Sequence, residues 1–470
     1  MRANNKGHSR VKNNSMILRT DGYKMSHHLM YPPGMDSMYS YMEARNRATF
    51  PKTIFFGLRY YIENYLAHPF DMIDVEDGRK FAAEYFQDDS IYPYDGLKYI
   101  VDKHNGIFPV RIMSVPEGTM VDRGNVLCTV ESTDRKVPWV VNYVEPLLLK
   151  VWYTSTVATL SWSIRTILAK FLHGTVGSLD GLEYMLHDFS YRGASSEETA
   201  ALCGAAHLLS FVGSDNIQGD FLLRRNYDSG RVVARSIPAA EHSTITAWGP
   251  GGEAAAYRHI ITAFPNGTVA VVSDSYDIYN ACKQIWGTEL HDEVMGRDGR
   301  VVIRPDSGSP VESVVVKVLD ALRSKFGTTK TEKGYLVLPQ NVRVIQGDGV
   351  NAGSIERILF NMELSGYAAS NVAFGMGGAL ASAVTRDTQD FATKCSSVTI
   401  NGEMRDVFKT PIGQKSKASK RGRMKLVLSD NGVCFTVPES SKGENVMRLL
   451  YEDGFLHVKD TYDQIRNRIP

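Results

Sequence analysis

Between residues 186 and 378, apolar segments that read as β-strands end repeatedly in polar or glycine-rich tips. They are LHDFSYRG (186–193), LLSFVGSD (208–215), SIPAAEHS (236–243), VAVVSDSYD (269–277), VVIRPDSG (301–308), RVIQGDG (343–349) and NVAFGMGG (371–378). With Phe189, Asp215, His242, Asp274, Arg304, Asp348 and Gly377 as one residue per tip, successive tips lie 26 to 44 residues apart, enough for a strand and a crossover helix. EETAALCGAAHLLSF, GEAAAYRHIITAF, YNACKQIWGTEL and SVVVKVLDALRSKF fall in the gaps with apolar residues every three or four positions, which predicts helices. Seven successive parallel units predict an irregular, TIM-like α/β barrel with its chemistry at the C-terminal ends of the strands. The same alternation also permits an open doubly wound sheet.

The rest of the chain has a different pattern. Residues 17–154 mix aromatic-rich pieces such as MYSYME and IFFGLRYYIENYL with the β-like stretch FPVRIMSVPEGTMVDRGNVLCTVEST, which predicts an α+β lobe. Trp152–Leu172 has helical periodicity and leads into the barrel domain, 155–394. From Cys395 to residue 470 short strands return, with MKLVLSD and NGVCFTVPE joined through an Asp-Asn-Gly turn, and this segment is expected to rejoin the N-terminal lobe. Residues 1–16, rich in Asn, Lys, Gly and Ser, read as a disordered tail.

Composition narrows the function classes. The chain has 470 residues, 53 Lys+Arg against 52 Asp+Glu, a formal net charge of +1, 43% apolar and 22% charged residues. No bulk field draws it to nucleic acid or an acidic membrane, so any anion site must be local. Cys128, Cys203, Cys282, Cys395 and Cys434 are too far apart for Cys-x-x-Cys chemistry and odd in number, so they read as reduced, buried thiols. No apolar h-region follows the basic N-terminus, and the most apolar stretch, Trp139–Tyr153, is interrupted by Asn142, Glu145 and Lys150. A cytoplasmic protein without a membrane span is expected.

The tips carry His187, Asp188, Arg192, Asp215, Glu241, His242, Asp274, Asp277, Arg304, Asp306 and Asp348. A polar residue at a strand end often only caps a helix or ties a turn, but six of the seven tips carrying such groups, with a glycine-rich seventh, points to a site. Gly347-Asp348-Gly349 and Gly375-Met376-Gly377-Gly378 come last in the series, where barrel loops commonly hold phosphate through backbone N–H groups. GDGVNAG misses the dinucleotide spacing and no P-loop is present. Arg304 and Asp306 can pair a forked donor with an acceptor for ribose hydroxyls or Mg²⁺-bound waters. A basic run, Lys415, Lys417, Lys420, Arg421, Arg423 and Lys425, reads as a solvated loop or an anion clamp.

GLEYMLHDFSYRG, SIPAAEHSTITAWG, VVSDSYDIYNACKQIWG, VIRPDSGSP, RVIQGDGV, AFGMGG and TRD at 385–387 together resemble the nicotinamide phosphoribosyltransferase family, in order from about Leu18 to Arg468. The resemblance implies a type II phosphoribosyltransferase: an α/β barrel with a second lobe, working as a homodimer with shared active sites. It implies attack of the nicotinamide ring nitrogen on 5-phosphoribosyl 1-pyrophosphate, giving nicotinamide mononucleotide and pyrophosphate for NAD biosynthesis. By resemblance the ring lies between Phe189 and Tyr23 of the other subunit, beside Asp21. Asp215 accepts from the carboxamide N–H and Arg304 lies near the carboxamide oxygen.

The resemblance further assigns Arg192, Asp306, Gly347, Asp348, Gly377 and Gly378 to phosphate and ribose. Arg45, Arg386, Lys394 and Lys409, from both lobes, are assigned to pyrophosphate, with Mg²⁺ carried by that substrate rather than bound directly by the protein. His242 matches a histidine phosphorylated by ATP as coupled co-substrate, with Glu241 and Asp274 orienting it. Gly22, Ala270 and Met185 depart from common family residues, and the link from Arg45 to Phe55 is shorter than in vertebrate members. Alternatives are nicotinate phosphoribosyltransferase, a silent binding protein on the same scaffold, and a sugar-phosphate isomerase or aldolase; no tip carries the Lys nucleophile that such aldolases use.

Overall fold

The computed structural model describes residues 15–410 and 419–470. The expected tail at residues 1–14, and Lys415 and Lys417 of the basic run, lie outside the described residues. Ser15 and Met16, read from composition as the end of the tail, are buried. The chain divides into two compact units, one formed by the chain up to Thr156, by Asn226–Asp228 and from Thr385 onward, the other by Val157–Arg225 and Ser229–Val384.

The first unit is organised by an antiparallel sheet in the order Glu403–Asp406, Phe391–Ile400, Met35–Ala44, Val126–Ser132, Val110–Ser114, Arg448–Glu452, Phe455–Leu456. The central strand Met35–Ala44 is buried from Met38 to Ala44 and bonded on both edges, with Tyr41 opposite Lys394 on one side and Thr129 on the other. Residues 385–394, expected in the barrel domain, belong to this unit, where strand Phe391–Ile400 pairs with Met35–Ala44. The expected Asp-Asn-Gly hairpin joins Met424–Leu428 to Cys434–Pro438.

The second unit is built on a parallel five-stranded sheet in the order Leu186–Asp188, Val372–Met376, Val342–Gln346, Asp298–Arg304, Asn266–Val272. Most residues in the C-terminal halves of these strands are buried, as parallel strands covered on both faces require. Ala270, Val302 and Ile345 form a buried cluster on which Phe189, Ile237 and Ala373 pack. Helices Glu197–His207, Glu253–Ala263 and Val311–Phe326 occupy predicted gaps. YNACKQIWGTEL starts as a helical turn and continues as a π-helix over Ala281–Glu289.

Two of the seven expected strands are reduced to single rungs. In 208–215, Leu208 and Phe211 donate N–H to Gly204 and His207 carbonyls, so the apolar run wraps off the preceding helix instead of extending. In 235–240, Pro238 removes a ladder donor. Isolated parallel bridges remain at Asp188–Ser214, Gly213–Arg235 and Ala239–Ala270. The fold is therefore mixed α/β, a parallel sheet in one unit and an antiparallel sheet in the other. Among the described residues, no helix is long and apolar enough to cross a membrane.

Candidate active site

In the second unit, the tip after Leu186–Asp188 turns through Phe189, whose N–H donates to the Met376 carbonyl at 3.0 Å. The Phe189 ring lies against glycine backbone: a Cβ at Gly375 would stand 1.9 Å from its Cε2, and one at Gly347 would stand 3.7 Å away. Only glycine at 375 leaves room for that ring. Asp215 is exposed, its N–H donates to the Asp188 carbonyl at 3.0 Å, and its carboxylate accepts from Ser236 Oγ. His187 lies near enough that Asp215 raises its pKa, against the larger lowering effect of burial. Asp215 thus presents a solvent-facing acceptor on the bridge beside Phe189.

Arg304 ends its strand with the guanidinium 3.5 Å from Asp306. Its Nε is buried without a hydrogen-bond partner, as is Oε1 of Gln346, whose Nε2 donates to the Asp348 carbonyl at 2.8 Å. A Cβ at Gly347 would sit 3.1 Å from Asp306 Oδ1 and 3.7 Å from Arg304 Cδ. Arg304, Asp306, Phe189 and the Gly347 turn therefore meet at one place. The Arg192 turn meets the Gly377–Gly378 turn as well: a Cβ on Gly193 would lie 3.1 Å from Gly378 Cα, and Ser382 Oγ donates to the Gly193 carbonyl at 2.7 Å. Asp348 and Arg192 are exposed.

His242 opens the short helix His242–Thr246, behind Glu241, which accepts from Ser243 Oγ. His242 Nε2 lies 3.0 Å from Asp274 Oδ1. The imidazole is about half exposed (47%) and the Asp274 side chain nearly buried (4%). A carboxylate can only accept, so Nε2 carries the proton of this contact. Not every tip residue serves a ligand. Asp277 caps the next helix through Tyr279 and Asn280 N–H, and Asp188 is fully buried with its oxygens on Ser190 N–H and Asn216 Nδ2.

In the first unit, Lys394 lies on the strand opposite Tyr41. Burial lowers its pKa, and Lys409, Arg45 and Arg386 lower it further, against an opposing effect of Glu145. The four expected pyrophosphate residues are therefore electrostatic neighbours, and all belong to this unit rather than to both lobes. Arg45 is anchored by Asp390, 2.5 Å away, which Arg47 shares, and Arg386 lies 3.7 Å from Asp387. Tyr23 is exposed (58%) on the 3-10 helix Gly22–Leu29, and Asp21 precedes it with an exposed side chain.

A Cβ at Gly22 would stand 2.8 Å from Tyr85, so a serine there requires Tyr85 to move. Ala270 belongs to the cluster under Phe189 and Met185 is buried. In the basic run, Lys420 pairs with Glu43, Arg423 with Glu131 and Glu439, Lys425 Nζ donates to the Gly443 carbonyl and Arg421 lies over Phe408. These four hold structure together. Ser236 and Gln346 were not singled out from the sequence. The one available signal was their position in tip segments, since Ser and Gln take many roles.

The profile of the nicotinate phosphoribosyltransferase (NAPRTase) family matches residues 184–454, and that of the nicotinamide phosphoribosyltransferase N-terminal domain matches residues 15–112. A nicotinamide phosphoribosyltransferase from Xanthomonas campestris pv. campestris is 48% identical over 418 residues, covering 88% of this chain and 87% of the relative. One from Acinetobacter baylyi is 30% identical over 484 residues, covering 96% of each. Among solved structures, the nicotinate-nucleotide pyrophosphorylase of Pyrococcus furiosus superposes with a TM-score of 0.62 at 15% identity, covering 99% of this chain and 97% of that one. Human nicotinic acid phosphoribosyltransferase gives 0.57 at 18% identity, covering 96% and 92%. At these identities the two structures speak to the fold.

Proposed function

The chain belongs to the nicotinamide phosphoribosyltransferase family, and from that premise we propose that it transfers the 5-phosphoribosyl group from 5-phosphoribosyl 1-pyrophosphate to nicotinamide, with release of pyrophosphate, in NAD salvage. The observation that carries the assignment is the meeting of Phe189, Arg304, Asp306 and the Gly347 turn, with an exposed carboxylate at Asp215 on the neighbouring bridge. The three isolated bridges extend the parallel order from Leu186–Asp188 round to Asn266–Val272, which supports an irregular barrel.

The ring nitrogen of nicotinamide is neutral at pH 7 and already nucleophilic, so positioning and charge stabilisation do the work. Phe189 offers one aromatic face to the electron-poor ring, and the exposed Tyr23 of the partner subunit would supply the other in a homodimer. Asp215 accepts from a carboxamide N–H and repels a carboxylate in its place. The buried, unpartnered Nε of Arg304 is a donor awaiting an acceptor. Asp306 and Asp348 accept from ribose hydroxyls, and the Gly347 and Gly377–Gly378 turns with Arg192 take the 5-phosphate.

Arg45, Arg386, Lys394 and Lys409 offer the leaving pyrophosphate a concentrated positive field. Among the described residues no group of three or more His, Cys, Asp or Glu is placed to hold a metal ion. Mg²⁺ carried by the pyrophosphate would neutralise leaving-group charge, with Asp306 and Asp348 able to accept from its water ligands.

His242 is the proposed acceptor of the ATP γ-phosphoryl group. Nδ1 attacks phosphorus, ADP departs, and the Nε2 proton stays on the ring, held by Asp274. The coupling reaction then hydrolyses the N–P bond. Incubation of the purified enzyme with nicotinamide, 5-phosphoribosyl 1-pyrophosphate and Mg²⁺, with and without ATP, should give nicotinamide mononucleotide by mass spectrometry and more of it with ATP. Product from nicotinate and none from nicotinamide would overturn the assignment.

A further inference from the structure

We infer that Asp188 is a positioning residue for the base, fixing the placement of Phe189 relative to Asp215. This rests on the nicotinamide assignment above and goes beyond it. Asp188 is fully buried, and its four hydrogen bonds run to the turn after Phe189 and to the segment around Asp215. Oδ1 accepts from Ser190 N–H at 2.7 Å, which pins the turn immediately after Phe189. Oδ2 accepts from Asn216 Nδ2 at 3.0 Å, immediately after Asp215. Its carbonyl accepts from Asp215 N–H at 3.0 Å, while its own N–H donates to the Gly213 carbonyl at 3.1 Å. Positions 188 and 213–215 are thereby locked in register.

The surroundings make this arrangement stiff. Asn216 Nδ2 also donates to the Ala200 carbonyl at 2.8 Å, on helix Glu197–His207, and Asn216 N–H donates to Ser214 Oγ at 3.1 Å. Behind the carboxylate lies His207, fully buried, with Nε2 3.2 Å from the Gly213 carbonyl and Nδ1 3.2 Å from Ser161 Oγ. A carbonyl accepts only, so Nε2 donates to Gly213, and Nδ1 shares a hydrogen bond with the serine hydroxyl. Burial lowers the His207 pKa, opposed by Asp188 and by the Gly213 and Leu186 backbone. The side-chain oxygens of Asp188 are thus held by a backbone N–H and an amide, and burying a carboxyl group on such donors is costly to fold. A turn tied by an amide or hydroxyl would avoid that cost. The carboxylate accepts at both oxygens together, and only that ties both ring-binding elements to one point.

The test is Asp188→Asn, which keeps the shape but turns one acceptor into a donor, so either Ser190 N–H or Asn216 Nδ2 loses its partner. The KM for nicotinamide should rise about tenfold, the cost of one lost hydrogen bond to a charged group, and the preference for nicotinamide over nicotinate should fall. At saturating nicotinamide, kcat should change by less than about threefold. The KM for 5-phosphoribosyl 1-pyrophosphate and phosphohistidine formation should stay unchanged, a split that a general loss of folding would not produce. Asn216→Ala, which keeps the carboxylate and deletes one donor, should give the same pattern with a smaller shift and serves if Asp188→Asn does not fold. An unchanged nicotinamide KM, equal losses in every step, or failure of both variants to fold would overturn the inference. Absence of nicotinamide turnover by the unmodified enzyme would instead overturn the function on which it rests.

Discussion

The aromatic ring of Phe189 rests directly on the α-carbon of Gly375, so that a methyl group there would be 1.9 Å from Cε2. Gly375→Ala should therefore push the ring out of its place over Ala270, Val302 and Ile345. Overpacking of this kind costs about 1–3 kcal/mol, read as a lower melting temperature. The nicotinamide KM should rise at least about tenfold if the misplaced ring costs about 1.4 kcal/mol in base binding. Unaltered base affinity in a folded Gly375→Ala protein would remove Phe189 from the base site.

Base choice should sit on Asp215. Replacing its carboxylate in Asp215→Asn removes the repulsion toward nicotinate and keeps a side chain able to bond to Ser236. The ratio of nicotinamide to nicotinate turnover should fall by about tenfold or more, on the scale of one charged hydrogen bond. Competition between the two bases in one reaction measures it, and an unchanged ratio would place selectivity elsewhere.

His242→Ala should abolish ATP hydrolysis and the acid-labile phosphoenzyme while leaving a slower, ATP-independent synthesis. Asp274→Asn should keep the imidazole in place but weaken its hold on the Nε2 proton, lowering the phosphorylation rate by about 10²-fold, in the range of general acid–base and orienting groups. Phosphoenzyme retained in His242→Ala would move the nucleophile to another residue.

The parallel core was legible in the sequence because its apolar runs, glycine-rich tips and intervening helical periods repeat. The two missing strands were not, since an apolar run beside a helix end and one broken by Pro238 both imitate strand patterns locally. The cationic group had a different barrier. Arg45 and Lys394 are distant in sequence, and only the pairing of Met35–Ala44 with Phe391–Ile400 makes them neighbours. Asp188 and Asp277 show the limit of residue type: both stand at tips, yet one ties a turn and the other caps a helix.

Lys394 should give pyrophosphate binding an alkaline limb. Burial and the charges of Lys409 and Arg45 lower its pKa, so it loses its proton earlier than an ordinary lysine as pH rises, and the field on the anion weakens with it. Bound pyrophosphate favours the charged form, so binding in that range should take up protons, seen as buffer-dependent heats in titration calorimetry. Lys394→Arg should abolish that proton uptake and hold affinity to higher pH. Proton uptake that persists in Lys394→Arg would assign it to another group.

Glu117 should make the first unit less stable toward neutral pH. Burial pushes its carboxyl up to about 7, against the lowering effects of the Arg59 and Gly57 N–H groups on Oε1, of the Tyr227 hydroxyl and of the Arg59 charge. The folded state thus holds a proton that the unfolded chain releases near its usual 4.5. Stability contributed by this group is full below about pH 4.5 and falls as pH rises toward 7, by about 3 kcal/mol in all. Glu117→Gln should flatten that decline in denaturant melts, and an unchanged pH slope would show that Glu117 is ionised throughout.

The central strand Met35–Ala44 takes one edge partner from Val126–Ser132 and the other from Phe391–Ile400. On the ribosome, its second edge must wait exposed until more than three hundred further residues have been translated. The nascent N-terminal portion carries an open hydrogen-bonding rim through that interval, so this enzyme's yield in cells should depend on chaperone cover. A message cut short before codon 391 would release a chain without the strand that carries Lys394.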